Sequence, residues 1–195
     1  MRNSLLVGLF LLVCSLPASA QITYGVRAGM SLANVSFSEA SEVSSSGRYG
    51  PLIGVFATVP VWGRLSVQPE AIYSVKGASL EVFGLETDYI VDYLEIPILV
   101  RVPVMRRVHV FGGPAFAYRL RARSRIAFGG STEEVDISDD VERFDLAIAG
   151  GADVEFGRWI VDGRITYGLS DTDADTSNDV KIRNRAFSIS AGFRF

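Results

Sequence analysis

From Ala186 onward the chain alternates, with Phe187, Ile189, Ala191, Phe193 and Phe195 separated by Ser188, Ser190, Gly192 and Arg194. A period of two marks a β-strand with one apolar and one polar face. The same pattern recurs in turn-bounded stretches near residues 23–33, 49–59, 65–76, 89–103, 107–124, 142–156, 159–169 and 185–195, so eight strands are predicted. The connections alternate too. Polar stretches at residues 34–48, 77–88, 125–141 and 170–184 are long, while those at 60–64, 104–106 and 157–158 are tight. Strict alternation gathers every long connection at one end and both chain termini at the other, as in barrels with short periplasmic turns and longer extracellular loops.

The aromatic residues sort along the same axis. Trp62 and Trp159 lie beside short turns, and Tyr49, Tyr73, Tyr89, Tyr118 and Tyr167 lie toward the long connections. A general preference of aromatics for strands accounts for their presence; only two interfacial girdles also account for their sorting. Within the sixth stretch Phe144, Leu146, Ile148, Val154 and Phe156 share a face against Asp145, Ala147, Ala149, Asp153 and Glu155. In the seventh, Trp159, Val161, Ile165, Tyr167 and Leu169 oppose Asp162, Arg164 and Thr166. Periodicity does not say which face points inward. A soluble ligand-binding barrel turns its apolar face in, a membrane barrel turns it out, and the loop asymmetry and the girdles favour the second. The expected fold is an all-β, eight-stranded antiparallel up-and-down transmembrane β-barrel.

Residues 1–20 carry the parts of a secretory signal: Arg2, an apolar run over residues 5–16, and Ala18-Ser19-Ala20 before the cut. Cys14 raises a lipoprotein reading, but Val13 is not the small residue such a signal wants. The expected domains are therefore a signal peptide over residues 1–20 and a barrel over 21–195. After cleavage the chain holds no cysteine, so disulfides and thiol chemistry drop out. Its 18 basic and 22 acidic residues leave a net charge of −4 without a basic block, which gives no reason to expect a nucleic-acid partner. No stretch beyond residue 20 is long and apolar enough for a spanning helix, so a closed barrel is the one membrane solution left.

The segments Ser66-Val67-Gln68-Pro69-Glu70-Ala71-Ile72-Tyr73-Ser74-Val75-Lys76-Gly77 and Tyr93-Leu94-Glu95-Ile96-Pro97-Ile98-Leu99-Val100-Arg101, with Tyr24-Gly25-Val26-Arg27-Ala28-Gly29, resemble the PorT-like outer-membrane β-barrel family of Bacteroidetes. The final Phe195 likewise resembles the closing strand of bacterial outer-membrane barrels. The resemblance implies an outer-membrane location and an architecture, since members of the family mostly have no assigned activity. PorT itself is associated with protein secretion and gliding, and no residue here is known to confer that role. Pro69, Pro97 and Pro114 fall inside strands, where each removes a ladder donor, so bulges or unpaired positions are expected near them. Gln68, Glu70 and Glu95 are placed to satisfy the freed carbonyls.

Charges of both signs populate the polar face. Arg27, Glu70, Glu95, Arg101, Arg119, Arg121, Asp145, Asp153, Asp162 and Arg164 are expected to pair as a lumen ion network, because eight strands enclose an interior that side chains just fill. Arg119, Arg121, Arg123 and Arg125 occupy one face at spacing two, and a hairpin centred near Thr132 sets Arg119 opposite Asp145 and Arg125 opposite Asp139. That run reads as the outer end of the ion-pair ladder in preference to an anion or lipopolysaccharide-phosphate site at the rim. The acidic residues over 171–179 lack the glycine and distal glutamate of an EF-hand loop and read as a solvated loop.

The one histidine, His109, falls near the short-turn end, far from extracellular substrates. With no cysteine, no G-x-S-x-G elbow and no metal-ligand cluster, no catalytic constellation can be assembled, and neither enzyme activity nor a cofactor is expected. The expected function is a non-enzymatic barrel with a plugged polar lumen and four extracellular loops. The alternatives are an accessory of a protein-secretion apparatus and a narrow small-solute pore. Outer-membrane lipid is the expected partner, with proteins engaged through the extracellular loops or periplasmic turns. Closure leaves no free edge, so a monomer suffices.

Overall fold

A computed structural model describes residues 21–37, 46–82, 85–128, 131–137, 143–169 and 182–195; the expected signal peptide and the acidic run over 171–179 lie outside them. The strands are β1 (Thr23–Phe37), β2 (Ser46–Trp62), β3 (Leu65–Val82), β4 (Leu85–Pro103), β5 (Val108–Phe128), β6 (Ser131–Asp136), β7 (Phe144–Phe156), β8 (Trp159–Gly168) and β9 (Ile182–Arg194). Each pairs antiparallel with its neighbours, β1 with β9 and β4 with β5, so the sheet closes on itself. Both β6 and β7 pair with β5, at opposite ends of it. They are two lengths of one wall strand, and the barrel is eight-stranded.

Short and long connections fall at opposite ends, with one correction. The segments 77–88 and 125–141, read as loops, are largely paired backbone: β3 and β4 run on to Val82 opposite Leu85, and β5 and β6 to Phe128 opposite Ser131. Beyond a membrane both faces of a hairpin meet water, so pairing continues after the apolar alternation stops. At the other end Trp62 opposes Leu65 and Phe156 opposes Trp159 around the Gly63-Arg64 and Gly157-Arg158 turns. Gly63 and Gly157 adopt φ of 58° and 65°. Tight hairpins favour turns of this hand because their twist matches that of the strands, and glycine enters the left-handed region without a Cβ clash.

The prolines interrupt the ladder without shifting it. Pairing skips two positions after Pro69 opposite Ile98 and resumes in the same register at Ile72 opposite Glu95, and it does likewise after Pro97. The irregularities fall elsewhere: at both ends of β2, and at Leu120, which is skipped between Arg119 opposite Tyr93 and Arg121 opposite Asp92. Gln68, Glu70 and Glu95 engage other side chains.

The polarity of the wall is inverted relative to a soluble protein. Met30, Ile53, Val55, Ile96, Ile98, Phe116, Ile148, Val161 and Ile189 are exposed, while Arg27, Glu70, Arg101, Asp153, Asp162 and Arg164 are no more than 6% exposed. Apolar residues ordinarily bury and charges surface, and a continuous apolar belt of this extent calls for an apolar surrounding. Trp62 and Trp159 lie outside at the short-turn end, Tyr49, Tyr73, Tyr118 and Tyr167 outside toward the other.

Candidate functional site

The inward positions form a column of ionisable side chains, centred on four charges from three parts of the wall. Arg27 on β1 lies 3.2 Å from Glu70 on β3 and 3.1 Å from Asp162 on β8. Arg164, two residues beyond Asp162 and so on the same face, approaches Glu70 with both terminal nitrogens, at 2.8 and 3.2 Å. Gln68 donates to Glu70 at 2.7 Å and Ser190 to Asp162 at 2.5 Å. Each guanidinium also stacks on an inward phenylalanine, Arg27 over Phe56 at 5.0 Å and Arg164 over Phe111 at 5.2 Å. Two cations and two anions balance, with hydrogen bonds and aromatic faces replacing the water they have lost. Room for these long side chains comes from the inward face of β5 and β7, where Ala115, Ala117, Ala147 and Ala149 are buried.

Nearer the short turns, Arg101 grips Asp153 through Nε at 2.7 Å and Nη2 at 2.5 Å, and reaches Glu155 at 2.5 Å. Arg194 holds the other oxygen of Glu155 at 2.9 Å. His109 Nδ1 lies 2.9 Å from Arg101 and 3.1 Å from Asp153. Donor atoms of His109, Asp153 and Glu155 come within 4.8 Å of one another, a spacing a metal ion could bridge. Arg101 Nη2 already occupies the space between them, so a metal would have to displace a cation that satisfies both carboxylates.

Toward the long-loop end, Lys76 pairs with Glu95 at 2.9 Å, and the Ser74 hydroxyl donates to the same carboxylate. Asp145 lines a small void with Lys76 and Glu95. Arg119 is buried opposite Tyr93, itself inward and buried. The two interior voids beside these groups measure about 20 and 10 Å³. A water needs roughly 10–15 Å³ by this measure, so each has room for about one.

Nine of the ten expected residues thus lie on inward positions, and Arg121 does not. Because β5 bulges at Leu120, Arg119 points in while both Leu120 and Arg121 are exposed, and Ala122 turns in again. Arg119, Arg121, Arg123 and Arg125 therefore do not share a face. Arg121 stands on the outer wall opposite Asp92, and Arg123 lies 3.4 Å from that same Asp92. The hairpin register differs as well: Asp145 opposes Ala117, Arg123 opposes Asp136, and Arg125 opposes Glu134. A single hairpin centre assumes one uninterrupted ladder, whereas β6 and β7 follow two registers. Lys76, Gln68, Ser74 and Glu155, which the expected set lacked, belong to the column; Gln68, Ser74 and Lys76 share the parity of Glu70, the signal that finds them.

The profile described as "Outer membrane protein beta-barrel domain" matches residues 17–174. Among solved structures, the chain is similar to Neisserial surface protein A at 14% identity and a TM-score of 0.57, covering 90% of this chain and 99% of that one. It is similar also to Ail, the attachment invasion locus protein of Yersinia pestis, solved in complex with the heparin analogue sucrose octasulfate, at 13% identity and a TM-score of 0.55, covering 90% and 99%. At such identities the likeness is one of fold. No curated protein matches the chain.

Proposed function

From the premise that this chain belongs to the outer membrane protein beta-barrel domain family and resides in the bacterial outer membrane, we propose that it is a non-conducting, non-enzymatic barrel that presents its extracellular hairpins and loops to partners. The observation that carries this reading is the neutral cluster of Arg27, Glu70, Asp162 and Arg164, drawn from facing parts of the wall and meeting in the middle of the lumen. An ion crossing the barrel would have to part pairs held in a low-dielectric interior, where a separated buried charge costs several kcal/mol. Signal-peptide cleavage after Ala20 and a monomeric state complete the proposal.

Purified barrel in planar bilayers tests it. The expected record shows no sustained current above the bare membrane, whereas steady small-solute conductance would replace this reading with a narrow pore. A second reading, accessory to a protein-secretion apparatus, draws on the likeness of Gln68-Pro69-Glu70 and Glu95-Ile96-Pro97 to the PorT-like family of Bacteroidetes. It predicts a defined partner that co-purifies, an outer-membrane one lost when the long-loop ends are shortened and a periplasmic one lost when the short turns are altered.

A further inference from the structure

The outer wall is not uniform. On β1 and β9 the outward residues Ala28 and Ala191 are direct cross-strand partners. Around them stand larger neighbours: Met30 opposite Ile189, Leu32 opposite Phe187, and Val161 beside Ala191 on β8. Two methyl groups set among such side chains leave a shallow, open recess on the wall, lined by Ala28, Met30, Tyr49, Val161, Phe187 and Ala191. A recess lets an apolar chain be touched from the sides as well as from below, and dispersion grows with the number of such contacts.

At its long-loop end the recess meets a cation. Arg185 is exposed on the same face of β9, two residues beyond Phe187, and its guanidinium lies 5.2 Å from the Tyr167 ring centroid. Among the described residues no carboxylate pairs with it. Held over the tyrosine ring, the guanidinium keeps N–H groups for a fork of hydrogen bonds, which fits a phosphate. From Arg185 to Ala191 the strand rises roughly 20 Å along its own axis, which at a tilt of about 40° spans roughly 15 Å of depth, the hydrocarbon of one leaflet. The cation therefore stands at headgroup level and the recess runs down beside the acyl region. We propose that the β1–β9–β8 wall holds one phosphate-bearing lipid of the outer leaflet, an acyl chain in the recess at Ala28 and Ala191 and its phosphate on Arg185.

The test titrates the purified full-length barrel in mild detergent with phosphatidylglycerol, and separately with a diacylglycerol of the same chains, and counts retained lipid by native mass spectrometry. One phosphatidylglycerol is expected to stay bound, and diacylglycerol to bind about tenfold more weakly, the scale of a lost charge-assisted pair. Arg185→Gln is expected to erase that discrimination, and Ala191→Phe to weaken both lipids by filling the recess. Phe116→Leu, on the opposite wall, leaves binding unchanged and controls for a general effect of wall substitutions. The proposal is overturned if diacylglycerol is held as tightly as phosphatidylglycerol, if neither Arg185→Gln nor Ala191→Phe alters retention, or if Ala191→Phe instead breaks a dimer joined through this wall.

Discussion

At the scale of single residues, Glu70 has the most to lose. Its side chain is wholly buried, and it accepts from Arg27, Arg164 and Gln68 at once. Replacing it with alanine would leave two buried guanidiniums facing each other with Asp162 as their shared counter-charge. Breaking one side of a buried pair costs about 3–5 kcal/mol, so Glu70→Ala should lower unfolding stability in urea by that amount. The same logic makes the loss recoverable. Adding Arg164→Met to Glu70→Ala removes the stranded cation, and the double variant should be less destabilised than the sum of the two single changes by about 1–3 kcal/mol. A Glu70→Ala loss below about 1 kcal/mol would mean that water solvates the cluster. Gly151 imposes a different restraint at this scale: a Cβ there would lie 2.1 Å from the Gly163 carbonyl oxygen. Gly151→Ala should therefore be destabilising, while Gly157→Ala, where the same addition meets nothing, acts only through its φ of 65°.

At the scale of elements, the one-residue bulge at Leu120 decides where a row of arginines goes. The barrel portion has no native cysteine, so single substitutions report cleanly. With a membrane-impermeant maleimide, Arg121→Cys should label readily and Arg119→Cys at least tenfold more slowly. Equal labelling would return the row to one face. The sequence pattern does not reveal this bulge. Alternation in β7, β8 and β9 is unbroken, and their inward and outward sets could be read residue by residue, Asp153 and Asp162 included. Alternation in β5 looks unbroken too, because Arg and Ala repeat on both sides of Leu120. Nothing local marks the extra residue; it is set by pairing with β4, a partner about thirty positions away in sequence. The hairpin extensions escaped for a related reason. Above the membrane both faces are wet, so period-two hydrophobicity fades although the backbone stays paired. The prolines were legible: the expected disturbance takes the form of unpaired positions after Pro69 and Pro97, with the register held and no bulge.

At the scale of the whole molecule, one inversion organises the rest. An apolar exterior satisfies the bilayer, closure satisfies the backbone, and the polar residues that remain must neutralise one another inside. The tiers from Arg101 and Asp153 through Arg27 and Glu70 to Lys76 and Glu95 follow from that requirement. At one end of the barrel the hairpins of β3–β4 and β5–β6 rise past the tyrosine girdle. The most direct test of the inversion is a nitroxide scan along β7 in lipid bilayers, labelling positions 146 to 154 singly and measuring collision with oxygen, which concentrates in hydrocarbon. Strong oxygen collision is expected at 146, 148 and 154 and low collision at 147, 149 and 153, with a period of two between them. High collision at the aspartate and alanine positions, with Leu146 and Ile148 shielded, would place the apolar face inside the barrel and contradict the inversion.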